Sequence, residues 1–253
     1  IVCLRNRTRK TGIELALAMR LVGAGALRND YWDAENVPTL RQVFAARRGK
    51  TIRVTKFVGV ATSRDNKNPL ELALQHVAKP QGWEGALEAQ TLAWEREWER
   101  CDIRIEGDEE AELAVRFSLF QLLIAAPRHD NRVNIGAKTL SGFGYRGHAF
   151  WDTEIFMLPV FTYTAPHIAR NLLDYRALTL PAAREKASLA GYEGAWFAWE
   201  SAASGEEVTP TWVPDFQDKK KLARVWTGDL AIHISADVAY AAWQYWHATG
   251  DDA

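Results

Sequence analysis

The 253-residue chain is 47% hydrophobic and 25% charged, an ordinary globular composition long enough for one large or two smaller domains, which excludes disordered and fibrous classes. Its 31 Lys and Arg offset 32 Asp and Glu, so no diffuse positive field exists for a phosphate backbone, which argues against nucleic acid as the main partner. Apolar runs such as Ile155–Phe161 fall short of the ~20 residues of a bilayer span, which argues against a membrane partner. Cys3 and Cys101 alone support no disulfide framework or cysteine zinc site, as expected of a cytoplasmic protein.

Taken in chain order, the elements begin as β. Ile13, Leu15, Leu17, Met19 and Leu21 alternate with Glu14, Ala16, Ala18 and Arg20, a period of two that places one face in a core. Ile52, Val54 and Phe57–Val60 repeat that character after Arg48-Gly49-Lys50, which predicts two or more antiparallel strands at the end of a sandwich. Asn29–Arg41 has no clean period and is expected to be a long connection. After Thr62-Ser63-Arg64-Asp65, Asn68 and Pro69 form a helix cap and first position, and Leu70, Ala73, Leu74 and Val77 keep helical spacing until Pro80. A second helix, from about Trp83, sets Leu87, Trp94 and Trp98 among Glu and Arg and has a wet face.

Asp108-Glu109-Glu110 supplies the cap and dipole-favouring charge of a third helix. Its apolar residues lie almost all round from Leu113 to Ala126, so burial on most sides is expected. Later helices are predicted at 152–161, 165–180, 181–191 and 232–249. Strands followed by repeated helices with long Gly and aromatic connections predict a multidomain β plus α chain, a β-sandwich joined to an α-helical barrel. No basic segment followed by an apolar one is visible from Ile1, so no signal peptide is expected in these residues, and the helix exit at Thr249-Gly250-Asp251 has no following partner, so a segment of a larger protein is expected.

Two stretches carry chemistry. In Asn134–Pro159, Gly142, Gly144 and Gly147 match GxGxxG, but the flanks lack the βαβ unit that phosphate cradling requires. A sugar subsite fits better: glycines let the backbone turn sharply and present Tyr145, Arg146, His148, Trp151 and Asp152 together, an indole to stack on a pyranose and charged groups to bind its hydroxyls. His148 and Asp152 have helical metal spacing but no third ligand, which favours hydrogen-bonding roles and no metal. A carboxylate beside a core Trp must find partners or line a cavity. In Gly191–Pro210, Trp196, Trp199, Glu200, Glu206 and Glu207 repeat the combination on a loop; Trp199 as a core plug with solvated glutamates is the alternative. His233 with Asp237 fits a capping or surface pair, Lys219-Lys220-Lys221 a solvated loop, and Ser141 and Ser201 lack the context of a serine nucleophile.

These residues carry a resemblance. NIGAKTLSGFGYRGHAFWDTEIFMLP, Ala169-Arg170, Asp174-Tyr175-Arg176, GYEGAWFAWESAASGEEVTP and HISADVAYA strongly resemble family 65 glycoside hydrolases, the maltose, trehalose and kojibiose phosphorylases and their trehalase relatives. The resemblance runs from Arg7-Thr8 through KFVGVATSRD and DIRIEGD to Asp251. It implies the end of a β-sandwich over 1–62, a helical linker over 63–104 and the first half of an (α/α)6 barrel over 105–253. It also implies inverting phosphorolysis of an α-linked glucose disaccharide to β-glucose 1-phosphate and a free sugar. Inorganic phosphate is then the co-substrate and no cofactor is needed. Trp151, Asp152, Trp199 and Glu200 would contact the transferred glucose, with Arg146 and His148 beside them, while the general acid Glu is expected beyond Ala253. Ala231 stands where family members often carry Glu, which bears on the acceptor sugar. A full-length homodimer is expected. The alternatives are a trehalase-type hydrolase and, from another class, a non-catalytic carbohydrate-binding fragment.

Overall fold

The structure, a computed structural model, describes residues 1–34, 36–78, 82–139, 142 and 144–252. Pro80, Ser141 and Ala253, each singled out above, lie outside the described residues. The chain divides into two units, Ile1–Trp94 and Glu95–Ala253. Among the described residues no helix is long and apolar enough to cross a membrane.

The first unit contains β1 (Val2–Arg7), β2 (Glu14–Gly23), β3 (Arg28–Ala34), β4 (Val37–Val43), β5 (Val54–Thr62) and α1 (Pro69–Ala78). Strands β1, β2 and β5 form an antiparallel sheet in the order β1-β2-β5, and β3 and β4 form a separate hairpin. The face covered by α1 is the small-residue face: Ala16 pairs with Ala61 and Ala18 with Gly59, and Ala16, Ala18, Ala61, Ala73 and Val77 are buried together. Leu17 and Met19 face the other way and line an apolar cavity of about 290 Å³ with Val2, Val37 and Val58. Small residues let the helix approach closely. At Gly59 an added Cβ would fall 2.2 Å from the Ala73 carbonyl oxygen. Asn68 caps α1, its Oδ1 accepting from the Glu71 amide at 3.4 Å.

Asn29–Arg41, expected as a connection, is instead most of the β3–β4 hairpin. Its pairing is polar: Asp30 accepts from Arg28 and Arg41, and the Gln42 amide donates to Asn29 at 2.9 Å. Hydropathy alternation cannot reveal a strand pair held in this way. Asn36 takes the left-handed conformation (φ 66°) that the turn needs and that Asn tolerates. β1 was likewise not expected from its own pattern; it pairs with β2 from Val2↔Met19 to Arg7↔Glu14.

Helix α2 (Gly82–Cys101) has the expected wet face, with Cys101 its one buried residue. The second unit continues with α3 (Glu109–Ala125), α4 (Leu158–Thr164), α5 (Pro166–Leu189), the small hairpin β6 (Trp212–Pro214) and β7 (Leu222–Arg224), α6 (Thr227–Leu230) and α7 (Ile234–Thr249). Helices α4, α5 and α7 pack on one another around Leu158, Phe161, Ile168, Leu172 and Ile234, all fully buried. Asp108 caps α3 by accepting from the Ala111 amide at 2.9 Å. The expected burial of α3 on most sides is corrected: Leu119 and Leu123 are buried, whereas Leu113 is 70% and Phe117 60% exposed. An all-round apolar helix needs neighbours all round, and the described residues supply them on one side. The break expected before Pro181 is also absent, because α5 runs through it. Proline removes one backbone donor, but Thr179 and Ala183 on either side are buried and hold the helix in register.

Gly59→Ala is expected to destabilise the first unit by about 1–3 kcal/mol, since α1 must move off the sheet to admit the methyl. A lower urea midpoint with an unchanged slope would verify this.

Candidate functional site

A backbone link brings the two chemically rich stretches together. Ala149 and Ser201 form an antiparallel bridge, the Ala149 amide donating to the Ser201 carbonyl at 2.8 Å and the Ser201 amide to the Ala149 carbonyl at 3.0 Å. His148 and Glu200 thereby become neighbours, with His148 Nδ1 2.7 Å from Glu200 Oε1. Helix α5 pins the bridge from behind, the Tyr175 hydroxyl donating to the Ala202 carbonyl at 2.7 Å and lying 3.0 Å from Ser201 Oγ. Ser201 is thus a buried structural hydroxyl.

The aromatic residues converge on the same place. The Trp151 and Trp199 rings lie 6.5 Å apart, and His233 packs edge-on against both, 5.3 Å from Trp151 and 5.9 Å from Trp199. Phe150 meets Trp199 at 6.2 Å, and Tyr145 meets Phe150 at 5.0 Å. Both indoles pack at the edge of the core formed by Ala183, Phe197, Ile234 and Val238, and neither is fully buried. Trp199 thus packs on the core, as a plug would, while part of its indole stays exposed. Of the reading of His233 as a capping or surface pair, the pair stands and the cap does not: His233 is exposed and lies 3.9 Å from Asp237, and it makes no side-chain cap bond at α7. Its place against two indoles, 82 and 34 residues away in sequence, could not be read from the local i,i+4 spacing.

Asp152 precedes a single π-turn, Thr153–Met157, in which the Leu158 amide reaches back five residues to the Thr153 carbonyl. Such turns concentrate at functional sites because they displace side chains from the helical face. A buried ion pair holds this one. Arg176 of α5 donates from Nε to Glu154 Oε1 at 2.7 Å, and from Nη2 to Glu154 Oε2 at 2.8 Å and to the Phe150 carbonyl at 3.0 Å. Burial opposes the Arg176 charge, and Glu154 beside it more than restores it. Half-buried Asp152 has no hydrogen-bond partner among the described residues.

Before the bridge, Tyr145, Arg146 and Gly147 take left-handed conformations in succession (φ 58°, 53° and 76°). The two non-glycine residues each cost about 1–3 kcal/mol. This turn leads into an extended segment rather than a helix, which removes the phosphate-cradle reading of GxGxxG. It leaves Arg146 exposed with no ion pair among the described residues. Among the expected site residues, Trp151, Trp199, His148 and Glu200 are brought into one cluster, and Asp152 adjoins it through Trp151. Arg146 lies on the turn before the bridge, with no hydrogen bond or ion pair to the others among the described residues.

Glu206 is exposed and paired with Ser204 at 2.8 Å. Glu207 is not solvated: it bonds the main chain of the Trp199-Glu200 strip, a role that its position in a loop did not reveal. Lys219-Lys220-Lys221 lies in the turn between β6 and β7, exposed as expected.

Residues 1–97 match the family model described as glycosyl hydrolase family 65, N-terminal domain, and residues 116–253 match glycosyl hydrolase family 65 central catalytic domain. A kojibiose phosphorylase of Caldanaerobacter subterraneus subsp. tengcongensis is 48% identical over 212 residues, which cover 82% of this chain and 27% of that protein. A nigerose phosphorylase of Lachnoclostridium phytofermentans is 40% identical over 211 residues, covering 82% of this chain and 28% of that protein. The chain thus spans little more than a quarter of the curated relatives it matches. A solved structure that carries the name of a kojibiose phosphorylase from human microbiome superposes with a TM-score of 0.76 at 23% identity, covering 96% of this chain and 31% of that one.

Arg176→Met, which leaves the Glu154 carboxylate buried and unpaired, is expected to cost about 3–5 kcal/mol. Adding Glu154→Leu should recover much of that loss, because an apolar pair carries no desolvation penalty. Urea unfolding followed by tryptophan fluorescence measures both.

Proposed function

The chain belongs to glycosyl hydrolase family 65, and from that premise we propose that the whole protein cleaves an α-linked glucose disaccharide of the kojibiose or nigerose type by inverting phosphorolysis. The observation that carries this reading is the joining of two indoles, His233 and the Glu200 carboxylate into one cluster by the Ala149–Ser201 bridge, with the unpartnered Asp152 adjoining. Aromatic faces flanked by carboxylates suit a pyranose, whose C–H face stacks and whose hydroxyls donate. Trp151, Trp199 and His233 form the stacking wall, and Asp152 and Glu200 accept from ring hydroxyls. His148 holds Glu200, and Arg146 supplies positive charge at the rim.

In ordinary inverting hydrolysis one carboxyl protonates the leaving oxygen and a second activates water. Phosphate arrives already anionic, so a single acid suffices. Asp152 and Glu200 are then free to grip the distorted glucosyl ring, where hydroxyl contacts strengthen in the transition state. The general acid is a Glu from the part of the whole protein beyond this chain. The fold proposed with this function is a β-sandwich end over 1–62, a helical linker over 63–104 and the opening helices of an (α/α)6 barrel over 105–253.

In the whole protein, Asp152→Asn and Glu200→Gln are each expected to lower kcat strongly while leaving the fold intact, since a charge-assisted hydrogen bond is worth about 1.5–3 kcal/mol. Steady-state kinetics on kojibiose and nigerose with inorganic phosphate check this, and unchanged kinetics would remove that residue from the site. Cleavage should require phosphate and release one free sugar with β-glucose 1-phosphate. Two free glucose molecules from trehalose with no sugar phosphate would establish the trehalase-type reading instead, and binding of these sugars without turnover would establish the carbohydrate-binding one.

A further inference from the structure

Glu207 gathers five donors, and two of them are the main-chain amides of the residues that face the sugar. Its Oε2 accepts from the Trp199 amide at 2.9 Å and from Lys186 Nζ at 2.6 Å; its Oε1 accepts from the Glu200 amide at 3.2 Å and from the Thr209 amide and hydroxyl at 3.2 and 2.6 Å. Lys186, on α5, also donates to the Gly228 carbonyl at 2.9 Å and lies 4.5 Å over the Trp196 ring. One carboxylate therefore ties the Trp199-Glu200 strip to Lys186 of α5 on one side and to Thr209 on the other, and Lys186 carries the link on to Gly228 of α6. We propose that Glu207, with Lys186 as its charge partner, is the positioning residue that sets the Trp199 indole and the Glu200 carboxylate against the sugar.

Each carboxylate oxygen serves one of the two sugar-facing amides. A glutamine offers one acceptor oxygen in place of two, so whichever way it turns, either the Trp199 or the Glu200 amide loses its partner. Its NH2 would then face either Lys186, donor to donor, or the Thr209 hydroxyl. Aspartate is one methylene shorter and cannot span the same set of donors.

Burial pushes the Glu207 carboxyl up, and Lys186, Thr209 and the Trp199 amide together bring it below its ordinary value. The charged groups that share its cavity of about 470 Å³ are Lys186 and Glu185 from α5, Glu206 beside it, and Asp229 from α6. Asp229 is occupied by Arg224. With Lys186 removed, the charged side chains left lining that cavity are carboxylates, only one of them neutralised, by Arg224, so burial is no longer opposed and the Glu207 carboxyl rises. The carboxylate form, and with it the position of the strip, is then kept above that raised value and lost as pH falls through it.

The inference rests on the reading of Trp199 and Glu200 as sugar-facing, and the test separates the two. Kinetics of the whole protein on kojibiose or nigerose with inorganic phosphate are measured for Glu207→Gln, Lys186→Met, Lys186→Arg and Glu200→Gln. Glu207→Gln should lower kcat roughly ten- to hundredfold with a smaller change in KM, because a misplacement of about 1 Å in a positioned group carries such a factor. Lys186→Met should move the acid limb of the kcat profile to higher pH, and Lys186→Arg should restore it. A structural brace alone would lower the melting temperature without moving that limb. Wild-type kcat in Glu207→Gln, or an unmoved acid limb in Lys186→Met, overturns the inference. Wild-type kinetics in Glu200→Gln overturns the sugar-facing reading itself.

Discussion

The second unit is organised around one dry ion pair, Arg176 with Glu154, at 3% and 0% side-chain exposure. Two charges so placed are tolerated only when nearly every hydrogen-bonding atom is used. Here the guanidinium spends Nε and Nη2 on both carboxylate oxygens and on the Phe150 carbonyl. The pair therefore fixes backbone as well as side chains. Phe150 cannot shift without breaking it, and Ala149, next in the chain, carries the bridge to Ser201. From that bridge follow the contact of His148 with Glu200 and the meeting of the Trp151 and Trp199 rings. Helix α5 thus anchors the site from behind at two levels: on one turn Arg176 grips the first stretch and Tyr175 the second, and nearly three turns further on Lys186 reaches Glu207.

Four carboxylates occupy this region, and partners sort them. Glu154 is neutralised by Arg176, and Glu207 by Lys186 and main-chain donors. Asp152 has no partner among the described residues, and Glu200 has a single histidine contact. Committed acids build the frame, and Glu200, although bonded only to His148, is itself buried. The near-neutral charge of the whole chain conceals this division, because composition counts charges without regard to what faces them.

What the sequence showed depended on how local the cause was. The α1 cap at Asn68 and the exit of α7 at Gly250 are set by residues within a few positions of the boundary, and both lie where their local signals place them. The two site stretches were legible because glycine, aromatic and acidic residues crowd into short windows. The β3–β4 hairpin was not, since its cross-strand partners are Asp30 with Arg41 and Asn29 with Gln42, side chains that hydropathy scores as loop. Nor could periodicity tell which face of β2 is covered: Ala16 and Ala18 are buried because α1 needs a shallow surface, a requirement that belongs to the helix. His233 joins the indoles, and Glu207 braces them, only through contacts made after the chain has folded back on itself.

The π-turn at Thr153–Met157 has a consequence for how length changes are tolerated. A turn that closes over five residues instead of four holds one residue more than the α geometry. Excising a single residue there would leave a regular helix, which the packing of Leu158 and Phe161 could accept. The penalty would fall upstream: at 3.6 residues per turn, everything before the excision rotates by about 100° relative to α4. Asp152 would swing off its present heading while the helix itself remained sound. Phe150 and Glu154 would turn with it, so a deletion here re-aims the acid only by giving up the buried pair with Arg176, and the length of this turn is tied to the frame as well as to the heading of Asp152.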